Sequence, residues 1–447
     1  MERINTVLAG VQKCWTSQRG RYLLTAGMCL VLILARSHRR LEFAHLWAED
    51  GPIFLGSQLS DGIWSVFQPY RGYFHVAGHL LSFLCVTIFG LASYPQITAI
   101  CCLVITAMVF AVFTLERYRW IIRPDWARAG AAALLCLAPG TTEVFGNFAN
   151  LHWILFFYAW LMAMSDSDHK QTLSQLLLLG IICFSAGEIV VVLPLFGLRV
   201  IQAWRKRTSG IGSLSREMAA VLMIVAAASI NFAQRGSNPP GPPATLAQIT
   251  DAILCTLTQH FVYLPWLGAS GYLNLASQLT PTVVYAVGVG TLMAIATLMV
   301  SRRGPKGLHI LAGIVCAFCV PLMTFIVRPE SALWYGRYSV ASAGDYSLRY
   351  YFVVAPFAVV LWAAGLGAMP RRSAAVGIGL LLAAYTYGAL PLFHIPPLGR
   401  EYSWRTDVRP LIHAYRTGCP EAAVVPIYPL GWSVEYKSRC GQVAPYQ

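Results

Sequence analysis

The chain has 447 residues, of which 57% are hydrophobic and only 12% charged, against about 25% charged in an ordinary soluble protein. With a mean hydropathy of +0.57, this composition excludes a water-soluble globular enzyme and describes a chain of many membrane spans. The formal net charge of +14 would suggest nucleic acid in a soluble protein. In a membrane protein it is first a matter of sidedness, because Lys and Arg stay cytoplasmic.

A helix needs about 20 apolar residues to cross a hydrocarbon core. The first candidate, Tyr22–Ala35, is short but can be extended by snorkelling of Arg21 and Arg36. The segment that follows, Arg36-Ser37-His38-Arg39-Arg40, is no small-residue cleavage site, so the run reads as a retained anchor with its N-terminus inside. Further apolar runs lie at about 73–92, 95–115, 129–140, 151–164, 173–185, 188–200, 217–233, 281–300, 308–326, 350–368 and 374–392. If all crossed, the basic stretch 116–128 would fall outside. Reading 73–92, which carries His75, His79 and Ser82, as a helix in the outer interface removes that conflict. Ser185-Ala186-Gly187-Glu188 splits the run 173–200 at the outer surface. About eleven spans result, in an all-α integral membrane fold with a cytoplasmic N-terminus and a periplasmic C-terminus. Most of the 33 Lys and Arg residues then lie inside and most of the 19 Asp and Glu residues outside. Arg205-Lys206-Arg207, Arg302-Arg303 and Arg371-Arg372 fall inside without having been used to choose the topology. The basic surplus is therefore topogenic, and nucleic acid is dropped as a partner.

The division is a multi-span module over 1–392 and a small periplasmic segment over 393–447. The outer loops are 36–94, 140–150 and 234–281, the last entered through the stiff run 236–243. Ten of the 12 cysteines sit in or beside apolar runs, where thiols pack as small hydrophobes. Cys419 and Cys440 alone lie in the polar tail, and a disulfide between them suits an oxidising periplasm. No HExxH or EF-hand pattern occurs, and His75 and His79 read as interfacial histidines before a metal pair.

The chemistry concentrates just outside the first span, at Trp47-Ala48-Glu49-Asp50-Gly51-Pro52. Two adjacent carboxylates among apolar residues at a membrane surface are costly without a purpose. They point in different directions on a helix and can divide roles, although both could simply cap a helix begun by Pro52. Downstream, Gln68-Pro69-Tyr70-Arg71-Gly72-Tyr73-Phe74-His75 offers aromatic faces for a sugar ring and a guanidinium fork for a phosphate. The second outer loop supplies Glu143, Asn147, Asn150 and His152, and Glu188 is a third acidic position. A late cluster holds Arg337, Tyr338, Arg349 and Tyr350. An Arg at the outer surface runs against the inside bias, and a lipid phosphate is a partner that accounts for it.

On these residues the sequence resembles the GT-C superfamily of integral-membrane glycosyltransferases, which take sugars from polyprenyl-phosphate carriers. The resemblance rests on Glu49-Asp50 in the first loop, Glu143 in the second (where members often carry Asp), and many spans followed by a small outer tail. Ala48-Glu49-Asp50-Gly51 with the later Pro69-Tyr70, Gly72-Tyr73 and His75 is similar to bacterial members that modify surface polymers or pilin, the pilin arabinosyltransferases among them. The resemblance implies an enzyme of the inner membrane with its site on the periplasmic face. The donor is a polyprenyl-phosphate-linked sugar held near membrane lipid, and the acceptor is a pilin hydroxyl or a surface glycan. Asp50 would be the base of an inverting displacement, with Glu49 as the second candidate. No cofactor is required by the pattern, and a divalent metal is left open. An O-antigen-type polymerase or ligase would use Arg and His on a large outer loop in place of an early acid pair, and the only His of loop 234–281 is His260. A lipid-linked sugar transporter would place charge near the bilayer midplane and show repeats, neither of which is visible.

Overall fold

The computed structural model describes residues 12, 14–42, 46–70, 72–138, 144–166, 168–169, 171–205, 211–234, 245–327, 354–390, 404–417, 423–428 and 431–436. The fold is an α-helical bundle with two short antiparallel hairpins. Among the described residues, six helical segments are long and apolar enough to cross a membrane: Gln18–His38, Leu91–Thr114, Gly187–Arg205, Leu214–Ala233, Pro281–Arg303 and Pro305–Met323. Val76–Phe89, Leu151–Ala163, Leu173–Cys183 and Ala355–Leu366 are apolar but shorter. At about 1.5 Å per residue, none of these four alone matches a hydrocarbon core of about 30 Å. Leu23, Val31, Ile88, Leu177, Leu222, Val287 and Val376 lie exposed on helix flanks, a distribution suited to lipid and not to water. The protein is an integral membrane protein.

The elements lie where the hydropathy runs put them, and two local breaks have clear causes. Leu173–Cys183 is begun by a Thr172–Gln175 capping box and ends before Ser185, after which the chain winds as a tighter turn over Gly187–Val192. Pro281 and Pro305 each open a long helix, where a missing N–H costs nothing, and Gly304, at φ +53°, makes the turn between them.

Contacts sort the bundle into two ends. Arg21 pairs with Glu116 at 3.2 Å and with Asp125 at 3.3 Å. Arg117 meets His169 at 2.8 Å, and Arg303 donates to the Ile121 carbonyl. Arg199 donates to the Ser165 carbonyl at 2.7 Å and grips Glu217 through two nitrogens, at 2.7 and 3.0 Å. At the other end of the first helix, Arg36 donates to the carbonyls of Cys136 and Ala138 at 3.0 and 2.9 Å. Arg21 and Arg36 are thus 4% and 5% exposed, and the snorkelling expected of them is replaced by inward pairing. Unfilled carbonyls at a helix end and a carboxylate cluster both take up guanidinium donors.

The stretch read as outer loop 234–281 is helical from Leu246 to Gln278, wound more widely over Thr256–Tyr263 and kinked at Gly268. Its polar residues Thr256, Thr258, Gln259 and His260 are buried. Polar side chains turned inward dilute the hydropathy of the run, which is why no apolar segment was visible there.

Candidate functional site

The Arg36 end carries the first-loop acids. Trp47–Asp50 turns tightly, with Ala48 at φ +38°, the single non-glycine residue at positive φ among those described. Such a conformation costs about 1–3 kcal/mol and needs an external brace. The C-terminal tail supplies it. The Ala48 amide donates to the Tyr428 carbonyl, the Tyr428 amide donates to the Leu46 carbonyl at 3.2 Å, and the Trp47 and Tyr428 rings are 5.1 Å apart. Tyr428 follows the strand Ala423–Ile427, which pairs antiparallel with Trp432–Tyr436. A Cβ on Gly51 would run into the Ile427 and Val434 side chains, so this glycine lets hairpin and acid loop close on each other. Trp404 ties the tail down a second time by donating to the Leu91 carbonyl at 2.9 Å.

Asp50 is 2% exposed. Its Oδ1 accepts the backbone amides of Phe148 and Ala149, both at 3.0 Å. Asp50 makes no capping bond to the helix that Pro52 opens, so the expectation of a simple helix cap is replaced by a bond across loops. Glu49 is only half-buried, in contrast to Asp50. The turn receiving Asp50 is self-braced: Gly146 sits at φ +86°, and the Asn150 amide donates to Asn147 Oδ1 at 2.8 Å. Phe145, Asn147 and Phe148 are fully buried beneath it.

His152, at the start of Leu151–Ala163, donates from Nδ1 to the Ala149 carbonyl at 2.8 Å, and its Nε2 is 3.9 Å from Glu188 Oε1. Tyr73 packs on His75 with ring centroids 4.3 Å apart, and Tyr70 lies 5.9 Å from His75. His75 does not share a helix face with His79. It precedes the helix Val76–Phe89, whose first amides turn to Phe184 and Ser185, and the Phe54 ring lies against both imidazoles. Among the described residues no three His, Cys, Asp or Glu side chains converge as metal ligands would. Burial, with His152 and His79 nearby, holds the His75 imidazole well below the usual histidine range, so it is neutral at physiological pH.

The structure thus brings together Asp50, Asn147, Asn150 and His152, with Tyr70 and Tyr73 alongside. Arg71, Glu143, Arg337, Tyr338, Arg349, Tyr350, Cys419 and Cys440 lie outside the described residues. Sequence reasoning missed the contribution of Ile427, Tyr428 and Val434. Their only signal is the in–out alternation of Ala423–Ile427, too short to show which surface the hairpin covers. Compared with known protein families and with characterised proteins, the chain matches none.

Proposed function

We propose that the protein is an integral-membrane glycosyltransferase of the GT-C kind, moving a sugar from a polyprenyl-phosphate donor to a hydroxyl on a periplasmic acceptor, a pilin or a surface glycan. The observation that carries this reading is the acid pair at one end of the bundle, with the Asp50 carboxylate oriented by two amides of the next loop on that face. Asp50 accepts the proton of the acceptor hydroxyl. That oxygen attacks the anomeric carbon, the carbon–oxygen bond to the phosphate breaks on the opposite face, and the polyprenyl phosphate leaves with the electron pair. Proton transfer of this type contributes about 10²–10⁴-fold. Two amides on one carboxylate oxygen fix its direction, which is what positioned proton transfer requires.

In this reading the Arg36 end faces the periplasm and the Arg21 end the cytoplasm, with eleven crossings. Supporting it, Arg117, Arg128, Arg199 and Arg303 meet at the Arg21 end, as positive charge retained inside would. The helix Val76–Phe89 has both termini at the Asp50 end, one against Phe184 and Ser185 and the other beside Trp404. That arrangement suits a helix lying along the interface.

Lipid extracts of cells lacking the protein test the reading. A polyprenyl-phosphate sugar should accumulate, and one surface or pilin glycan should lose that sugar. Unchanged carrier lipids together with unchanged glycans would remove it.

A further inference from the structure

Beside Asp50 lies a second group of polar side chains that the displacement leaves unused. His75, 5% exposed, has no hydrogen-bond partner at Nε2 among the described residues, and neither has Glu188 at Oε1 nor Trp153 at Nε1. Leaving one such buried group unpaired costs about 1–3 kcal/mol. Three side by side, at the mouth of a functional end, mark groups awaiting a partner.

They are arranged as walls. The His75 and His152 rings stand edge to face at 5.6 Å, Tyr73 is tilted against His75 at 4.3 Å and edge-on to His152 at 6.0 Å, and Trp153 is tilted against His152 at 4.3 Å. Glu188 closes the side opposite His152. Gly187 lets the Tyr73 ring approach, since a Cβ there would sit 3.1 Å from two of its carbons. Tyr73 is half-buried, which leaves one wall of the group toward the surface, while the Glu188 side chain is 11% exposed.

We propose that Tyr73, His75, His152 and Glu188 form a subsite for a neutral polyhydroxylated ring, a sugar, next to the acid pair. The chemistry selects that class. Among the described residues an anionic phosphate would meet the Glu188 carboxyl group and no Lys or Arg, whereas hydroxyls can both donate to an imidazole nitrogen and accept from an indole N–H. The neutral His75 fits an uncharged ligand, and aromatic faces suit the apolar face of a sugar ring. The subsite deepens the transferase reading by naming what lies beside Asp50, and it rests on that reading only for the fate of the sugar.

Sugar binding is read by saturation-transfer NMR on the detergent-solubilised full chain, with free D-arabinose, D-ribose, D-glucose, D-galactose and D-mannose as probes and inorganic phosphate as competitor. At least one sugar should show transfer that phosphate does not displace. Glu188→Gln, which keeps size, should weaken it about tenfold, as loss of a buried hydrogen-bond partner does. Tyr73→Ala should abolish it while Tyr73→Phe keeps most of it. Failure of every probe on folded protein, displacement by phosphate, or binding indifferent to both Glu188→Gln and Tyr73→Ala would overturn the subsite. Sugar binding in a protein without transferase activity would overturn the transferase reading and leave the subsite standing.

Discussion

Asp50 Oδ1 and the Ala149 amide nitrogen, 99 residues apart in the chain, are 3.0 Å apart in space. The same Ala149 offers its carbonyl to His152 Nδ1. One residue of the second loop therefore registers the acid of the first loop against an imidazole that faces Glu188, and rotation of the Asn147–Asn150 turn would move both.

That bond separates a base from a brace. Asn at position 50 can still accept both amides through its own Oδ1, but it cannot take a proton. Asp50→Asn should keep the thermal stability of wild type while transfer falls by about 10²–10⁴. Asp50→Ala should lose transfer and also destabilise the fold by about 1–3 kcal/mol, because two buried amides are left unpaired. The readouts are glycan transfer in expression-matched membranes and unfolding of the purified protein. Full transfer by Asp50→Asn would reduce Asp50 to a brace and pass the proton-accepting role to half-buried Glu49, checked by Glu49→Gln.

The tail should matter to the acids although it contributes no acid of its own. A methyl group on Gly51 meets Ile427 and Val434, and forcing extra volume into such a contact costs about 1–3 kcal/mol. Gly51→Ala should therefore lift the hairpin from Ala48 and lower transfer. Ile427→Ala, which makes room, should recover much of it in the double variant. Wild-type transfer by Gly51→Ala alone would show that the hairpin does not hold the acid loop in place.

Much of the architecture was readable because lipid-facing and core-facing residues are both apolar in a membrane helix, so runs such as 281–300 and 151–164 announce themselves. The stretch Leu246–Gln278 escaped because Thr256, Gln259 and His260 point inward, and an average over the run cannot distinguish buried polarity from exposed polarity. Glu49-Asp50 stood out as adjacent charge in apolar surroundings. Their bracing did not, since it depends on amides near position 148 and on Tyr428, and neither a peptide N–H nor a long-range contact has a signature in the residue names. His75 and His79 share helical spacing in the sequence, but His75 falls before the helix begins, and that boundary decides against a shared face.

His75 makes stability depend on pH in one direction. Its folded value is depressed by burial first and by the neighbouring His152 and His79 next, while the unfolded chain titrates near about 6.5. Below about pH 6.5 the unfolded state thus binds a proton that the folded state refuses, and stability falls as pH falls. Above that value the contribution is fully present. The slope for one such group is at most about 1.4 kcal/mol per pH unit. Midpoints followed by tryptophan fluorescence between about pH 8 and about pH 5 should decline below about 6.5, and His75→Gln should flatten that decline. His79, buried beside the same Phe54 ring and lowered to about 4 by burial, acts in the same direction, so an unchanged slope in His75→Gln would assign the dependence to His79.

Sidedness can be tested at single residues, because the contacts bind the basic segments together at one end. Asp168 is exposed beside His169, which Arg117 and Arg199 hold at the Arg21 end. Trp64 is 67% exposed in the first-loop turn Gly62–Phe67, which leads into the Tyr70–Tyr73 hairpin at the Asp50 end. In intact spheroplasts, a membrane-impermeant maleimide should modify Trp64→Cys and spare Asp168→Cys, and in inverted vesicles the pattern should reverse. Native Cys14, exposed and close to the Arg21 end, is a built-in reference that should follow Asp168→Cys. Peptide mass spectrometry separates these sites from the remaining thiols and shows whether Cys419 and Cys440 are bridged. Labelling of both variants from one side would break the link between the two bundle ends and the two faces of the membrane. It would also remove the periplasmic assignment of Glu49 and Asp50 on which the transferase reading depends.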